Sequence, residues 1–98
     1  MSLTDPQRRF LKGRAHPLKP VIQVGGAGLT EALVKETQRA LHDHELIKVR
    51  FRASERSARD ALVAELAQRT DSALVDRIGH VAVLYRARTP PKLLIPDA

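Results

Sequence analysis

The residues best suited to chemistry are the glycines of Gly25-Gly26-Ala27-Gly28, which form a GxxG turn. The turn separates a short apolar run at residues 21–24 from a helical pattern that starts near Leu29. Glycine permits backbone angles that other residues avoid, and it has no side chain to hold a ligand away. A helix N-terminus behind such a turn offers unpaired N–H groups and a partial positive charge. The spacing therefore predicts a place where a phosphate group can lie close to the backbone.

The charge balance of the chain narrows the kind of ligand. Lys and Arg number 17 against 11 Asp and Glu, which gives a formal net charge of +6. Such a balance favours a polyanion such as nucleic acid or, less often, an anionic membrane. The absence of cysteine excludes disulfides, thiol catalysis and cysteine-ligated zinc. With one tyrosine, two phenylalanines and no tryptophan, base stacking on an aromatic platform is not the expected binding mode.

Hydropathy bears on the location of the protein. No apolar stretch approaches the ~20 residues that span a bilayer. The N-terminal residues Met1-Ser2-Leu3-Thr4-Asp5-Pro6 lack the apolar core of a signal peptide. We therefore expect a cytoplasmic protein with no membrane partner.

Alternating helices and strands are predicted on both sides of the glycine turn. Apolar spacing indicates helices over about residues 5–14, 29–44 and 55–70, and strands over 21–24, 46–52, 73–78 and 81–86. Thr4 or Asp5 is the expected cap of the first helix and Ser54 that of the third. The third helix is expected to bury a stripe of Ala58, Ala61, Leu62 and Leu66.

The connections between these elements predict the fold. Helical crossovers of this length join parallel strands, whereas Gly79-His80 is a two-residue turn that joins the last two strands in antiparallel fashion. The expected class is α/β: a single compact α-β-α-β-α-β-β domain over residues 1–88 with a mixed four-stranded sheet. An irregular tail is expected over residues 89–98, which are rich in proline.

Basic residues supply further candidates for phosphate binding. Lys48, Arg50 and Arg52 alternate with apolar residues along the second predicted strand, so they form a basic row on one sheet face. The row can be a solvated face, but like charges at alternate positions repel and a polyanion relieves that repulsion, so we favour binding. The basic residues before the turn can be ordinary surface residues or can share phosphate contacts, and the turn itself can be only a tight strand-to-helix connection.

Several motifs carry a family resemblance. In order they are His16-Pro17-Leu18-Lys19-Pro20, the glycine turn, Gly28-Leu29-Thr30-Glu31, His44-Glu45-Leu46-Ile47-Lys48-Val49, Ile78-Gly79 and Val83-Leu84-Tyr85-Arg86. This pattern resembles the CRM domain, the chloroplast RNA splicing and ribosome maturation family, and more closely its stand-alone, YhbY-like bacterial members. The resemblance covers about residues 7–88. It implies a topology similar to the C-terminal domain of translation initiation factor three.

The resemblance also implies a function and a site. Family members are RNA-binding proteins without catalysis or cofactor, and the bacterial members associate with precursors of the large ribosomal subunit. The family's GxxG loop, which is compared with that of KH domains, implies RNA-backbone contact at Gly25 through Gly28. Two departures weaken local contacts: Gly26-Ala27 replaces a frequent basic or polar loop residue, and His80 stands where Lys or Arg is frequent.

The resulting prediction is a monomer that binds ribosomal RNA of the large-subunit precursor and assists ribosome assembly. The predicted RNA-binding residues are Lys12, Arg14, His16, Lys19, Gly25, Gly26, Ala27, Gly28, Thr30, Lys35, Arg39, Lys48, Arg50, Arg52, His80 and Arg86. No metal site is expected, since His42 and His44 are two residues apart and do not share a helical face.

Two other functions remain open from the residues alone. A small enzyme could bind a phosphorylated metabolite at the same turn, but the chain has no Walker lysine, extended Rossmann fingerprint or catalytic pair. A DNA-binding module would need a recognition helix and often a dimer, and no such helix stands out.

Overall fold

The computed structural model describes residues 2–96 and has the predicted order of elements. These are α1 (Asp5–Ala15), β1 (Pro20–Val24), α2 (Glu31–His44), β2 (Leu46–Phe51), α3 (Arg56–Arg69), β3 (Ala73–Ile78) and β4 (Val81–Tyr85). The strands form one sheet in the order β1-β2-β4-β3, with β1 parallel to β2 and the other two pairs antiparallel. The predicted mixed four-stranded α/β fold is therefore confirmed. Within this described part of the chain, no helix combines the length and apolarity that crossing a membrane requires.

Local capping explains where the helices begin. Thr4 caps α1 in a reciprocal capping box with Gln7. Of the two caps predicted for this helix, Thr4 and Asp5, Thr4 is therefore the one that forms. Helix α2 begins two residues later than predicted, because Thr30 is extended and its hydroxyl accepts from the Leu33 N–H at 3.1 Å. Ser54 was the wrong cap for α3: Glu55 occupies that position and makes no side-chain capping bond.

The sheet buries apolar side chains on both faces. One face packs against α2 and α3 through Ile22, Val24, Val34, Leu41, Ile47, Val49, Phe51, Val63, Leu66, Ala82 and Leu84. The opposite face packs against α1 through Leu11, Ala15, Leu46, Val75, Val83 and Tyr85. Because α1 is a single short helix, it covers only one end of that face. Ile78 is 70% exposed at the other end.

The stripe predicted for α3 is wrong in part. Leu66 is buried and Leu62 partly buried, but Ala58 and Ala61 are exposed and Val63 takes the inward position instead. The helix turns its larger aliphatic side chains to the sheet, since burying them removes more apolar surface from water than burying alanine does.

The segment after β4 is irregular but anchored. Residues 89–96 form neither helix nor strand, and Leu93 and Ile95 pack against the α1-side cluster. The buried Glu45 carboxylate accepts hydrogen bonds from the backbone N–H groups of Lys92 and, at 2.9 Å, Leu93. Gln7 donates to the Pro96 carbonyl at 2.9 Å. Residues 97–98 of the predicted tail lie outside the described residues.

Candidate nucleic-acid interface

Three connections meet where β1 and β2 end. The Arg52 N–H donates to the Val24 carbonyl at 3.0 Å, which joins the segment after β2 to the end of β1. The Phe51 N–H donates to the His80 carbonyl at 2.7 Å, and His80 Nδ1 lies 2.8 Å from the Phe51 carbonyl oxygen. These contacts bring residues 25–30, 52–55 and 79–80 together. We call this region the turn end of the sheet.

The glycine turn is a β-turn that leaves its backbone open. The Gly28 N–H donates to the Gly25 carbonyl at 3.1 Å, so Gly26 and Ala27 occupy the centre of the turn, and both are exposed. Gly28 has a φ of 72°, in the left-handed region that favours glycine. Gly25 and Gly26 are not in that region, and a Cβ added at either would meet no atom within 4 Å. Within this turn, the backbone therefore requires glycine only at position 28.

Helix α2 points its N-terminus toward this turn. The Thr30 N–H donates to the Gly28 carbonyl at 3.2 Å, and this bond ties the helix cap to the turn. The Thr30 hydroxyl accepts only the Leu33 N–H among the first-turn donors, so it does not satisfy the two N–H groups before Leu33. Glu31 is exposed in the first turn of the helix. Lys35, also exposed, lies one helical turn along α2.

Two arginines at the turn end are available to a ligand. Arg50 and Arg52 are exposed, and neither side chain makes a hydrogen bond or ion pair with the residues that the structure describes. Together with Gln23, Phe51 and His80 they line an open depression of about 460 Å³. Among the described residues, no acidic side chain lines this depression, so its electrostatic character suits an anion.

Arg59 supports this region from α3, and no pattern in the sequence indicates this role. Its Nη1 donates to the carbonyls of Ala53 at 3.0 Å and Ser54 at 2.7 Å, which holds the connection after β2. The same atom lies 3.5 Å from His80 Nε2. Because a carbonyl can only accept, His80 donates from Nδ1 to Phe51 and leaves Nε2 facing Arg59. The helical position of Arg59 is that of an ordinary surface residue, and only tertiary packing reveals its role.

The predicted basic row on β2 is divided. Lys48 turns back and donates from Nζ to the carbonyls of Leu18 at 3.0 Å and His16 at 3.4 Å. It therefore braces residues 16–19, the connector between α1 and β1. Lys48 lies opposite Pro20 at the start of β1, whereas Arg50 lies opposite Gln23. We call the region around the connector the connector end of the sheet.

The predicted residues before the turn also lie at the connector end. Lys12, Arg14, His16 and Lys19 are all exposed, and Arg14 lies over the Phe10 ring with its guanidinium 5.9 Å from the centroid. The five residues of β1 separate this group from the glycine turn by roughly 15 Å. The structure does not bring these four side chains to the turn.

The remaining two predicted residues are also outside the turn end. Arg39 is exposed on α2 and lines a shallow surface beside the β1 edge. Arg86 is half-buried and donates to the carbonyls of Thr70 at 3.1 Å and Gln38 at 3.4 Å, which joins the end of α3 to α2. Arg86 follows β4 directly after Tyr85, which pairs with Leu46 at the connector end.

Comparison with known proteins assigns the family. Residues 3–86 match the CRS1/YhbY (CRM) domain. The chain belongs to this family. A CRM relative from Haemophilus influenzae, named RNA-binding protein, is 41% identical over 95 residues, which cover 97% of this chain and 96% of the relative. A Pseudomonas aeruginosa protein named a probable RNA-binding protein is 46% identical over 91 residues, covering 93% and 88%.

The CRM fold also matches a solved structure. The solution structure of a Staphylococcus aureus protein superposes with a TM-score of 0.84 at 32% sequence identity. The match covers 97% of this chain and 100% of the other chain. The resemblance to the CRM family stated from the sequence motifs is therefore confirmed.

Proposed function

We propose that this protein binds RNA, specifically ribosomal RNA in precursors of the large ribosomal subunit, and assists ribosome assembly. The observation that carries the proposal is the turn end, where an open glycine backbone lies beside two exposed, unengaged arginines. The names of the CRM relatives support RNA as the ligand. The ribosomal part of the proposal rests on the family resemblance.

The proposed mechanism is recognition of the RNA backbone. At Gly25 and Gly26 a phosphate can approach the main chain without meeting a side chain, while the N-terminus of α2 provides N–H groups and a partial positive charge. Arg50 and Arg52 neutralise the adjacent phosphates, and Lys35 extends this contact along α2. The protein acts by binding and positioning RNA, without a chemical step.

A longer RNA would extend toward the connector end. The exposed cations Lys12, Arg14, Lys19 and Arg39 can neutralise phosphates there by long-range attraction, with His16 beside them. Such contacts are not sequence-specific, and they suit a structured RNA that presents its backbone in a fixed shape. We further propose that the protein works as a monomer in the cytoplasm.

Sedimentation of tagged protein in a native lysate, with sequencing of the bound RNA, tests this proposal. We expect the protein to migrate with large-subunit precursors and to be released at high salt, because phosphate contacts weaken with ionic strength. Migration at the top of the gradient without any enriched RNA would contradict the proposal. Enrichment of RNAs other than ribosomal precursors would retain RNA binding and reject the role in ribosome assembly.

A further inference from the structure

Helix α1 leaves one end of a sheet face uncovered. Strand register places Gln23, Arg50, Val81 and Ile78 side by side across all four strands on this face. Ile78 is 70% exposed and Val81 half-buried, so an aliphatic surface is open to solvent. A single exposed isoleucine is common on protein surfaces. Ile78, however, adjoins an unengaged arginine and the turn end of the sheet, so it is part of a larger exposed surface.

The uncovered surface is a shallow depression of about 270 Å³. It is lined by Pro20, Lys48, Arg50, Ile78, Val81 and Val83, and none of these is acidic. Since the Lys48 ammonium group is bonded to the connector carbonyls, Arg50 is the free cation among the described residues that line the depression. The surface thus combines an aliphatic floor with one planar guanidinium.

Arg50 also connects this depression to the turn end. It lines both the aliphatic depression and the polar one formed with Gln23, Arg52 and His80. A strand whose phosphates contact the turn end can therefore place its adjacent nucleotides over Ile78 and Val81. The two surfaces are continuous, and each is bordered by positive charge.

We propose that this uncovered sheet face binds unpaired RNA bases adjacent to the phosphates held at the turn end. The inference rests on the proposed RNA-binding function and specifies the form of RNA that the site takes. A guanidinium plane stacks on the face of a base, and an aliphatic floor shelters the opposite face from water. Bases within a duplex are already stacked, so only unpaired nucleotides can make this contact.

Neither the phenylalanines nor the tyrosine offers an alternative surface for stacking. Phe51 and Tyr85 are 1% and 2% exposed, and the Phe10 ring lies under Arg14. Of the residues that the structure describes, no histidine lines the aliphatic depression, so base contact there is made by Arg50 and aliphatic side chains. Such contact distinguishes unpaired from paired nucleotides but discriminates weakly among the four bases.

Fluorescence anisotropy with two RNA probes tests the inference. Both probes contain the same duplex and an unpaired extension of equal length, but in one probe the extension is abasic, so the phosphates are matched and only the bases differ. We expect the wild-type protein to bind the base-bearing probe about fivefold more tightly. Ile78→Ser should reduce this preference, because Arg50 and Val81 remain, and should leave the affinity for the abasic probe unchanged. Leu94→Ser, which changes an 80%-exposed aliphatic residue of the tail, is the matched control and should keep the preference.

The outcomes separate this inference from the proposed function. Equal wild-type affinity for both probes would overturn the inference while RNA binding stands, and would leave the face to another partner such as a protein. A preference as large in Ile78→Ser as in the wild type would overturn the assignment to this face. If the wild-type protein binds neither probe, both the proposed function and the inference fail. Circular dichroism of each variant checks that the fold is retained.

Discussion

At the two ends of the sheet, the basic residues on or directly after β2 and β4 differ in engagement. At the connector end, Lys48 and Arg86 donate to backbone carbonyls and hold chain segments together. At the turn end, Arg50 and Arg52 are exposed and make no side-chain hydrogen bond or ion pair within residues 2–96. The difference shows that residue type alone does not determine whether a basic side chain braces the fold or is free to bind a ligand. The decisive factor is whether an unpaired carbonyl lies within its reach.

Strand register explains this difference. Lys48 lies opposite Pro20, immediately after the connector, where residues 16–19 form neither helix nor strand and their carbonyls can accept from a side chain. Arg50 lies opposite Gln23 in the paired part of β1, where the carbonyls that face β2 are engaged in the strand ladder. A shift of two residues along β2 thus separates a structural brace from a cation that is free to bind a ligand.

The largest effect on stability is expected at Glu45 of the connector end. Its carboxylate accepts the N–H groups of Lys92 and Leu93, and the residue itself has a φ of 64°. Glu45→Ala removes these acceptors and should lower the free energy of unfolding by about 1–3 kcal/mol. Urea denaturation followed by circular dichroism measures the loss.

Two further substitutions separate the loss of the Glu45 acceptor from the effect of its positive φ. Glu45→Gln retains a side-chain oxygen acceptor and should be less destabilising than Glu45→Ala. Glu45→Gly should be more stable than Glu45→Ala, because glycine adopts positive φ without strain. An alanine variant as stable as the wild type would show that the carboxylate does not anchor the tail.

The second prediction compares the two ends directly through salt dependence. Arg50→Ala and Arg52→Ala should each lower RNA affinity about fivefold and reduce the slope of log affinity against log salt by about 1, because each loses one phosphate contact. Lys48→Ala should instead lower stability by about 0.5–1 kcal/mol, since it loses partly solvated hydrogen bonds, and change the slope less. Titration of each variant with a fluorescent RNA over a series of salt concentrations provides the test. Equal slopes for all three variants would contradict the difference in RNA contact between the two ends.

Glycine substitutions test the openness of the turn. Gly13 lies at an exposed position of α1. Gly13→Ala should raise the free energy of unfolding by about 0.5–1 kcal/mol without changing RNA affinity. Gly26→Ala also meets no atom within 4 Å, so it should fold at least as stably as the wild type but bind RNA more weakly. Thermal melting and RNA titration of the pair give both quantities. A loss of stability in Gly26→Ala would mean that the turn needs glycine for its fold.

The smallest effect is expected from Tyr85 at high pH. Burial raises the pKa of its hydroxyl above the ordinary value of 10.0, and the charge of Glu45 raises this pKa further. Below pH 10.0 the Tyr85 hydroxyl is neutral in both the folded and the unfolded states, and its full contribution to the free energy of unfolding is present. This contribution is lost as the pH rises through the folded-state pKa. Tyr85→Phe should remove this alkaline dependence and cost little near neutral pH.

Tyrosinate absorbance provides a direct check on that prediction. The chain contains a single tyrosine, so an ultraviolet pH titration reports on Tyr85 alone. The folded protein should titrate at higher pH than the urea-unfolded chain. Titration of both at the same pH would contradict the effect of burial.

Features set by local sequence could be predicted, and those set by tertiary contact could not. The glycine turn, the capping by Thr4 and the alternation along β2 depend on neighbours in the chain, so the order of elements and the sheet were predictable. The brace by Lys48 and the support from Arg59 depend on carbonyls distant in sequence. No spacing rule reveals such contacts, and for this reason the predicted basic set mixed bracing residues with free ones.

The RNA affinity of the double variant Gly26→Asp, Ala27→Asp tests contact between RNA and the glycine turn most directly. Both positions are exposed and tolerate side chains, so the variant should fold, while its two carboxylates repel the phosphates at the turn. The matched control, Ala61→Asp with Ala64→Asp on the exposed face of α3, makes the same change in net charge. We predict that the turn variant loses at least about 30-fold in affinity and the control far less. Equal affinities of the two folded variants would contradict contact between RNA and the glycine turn.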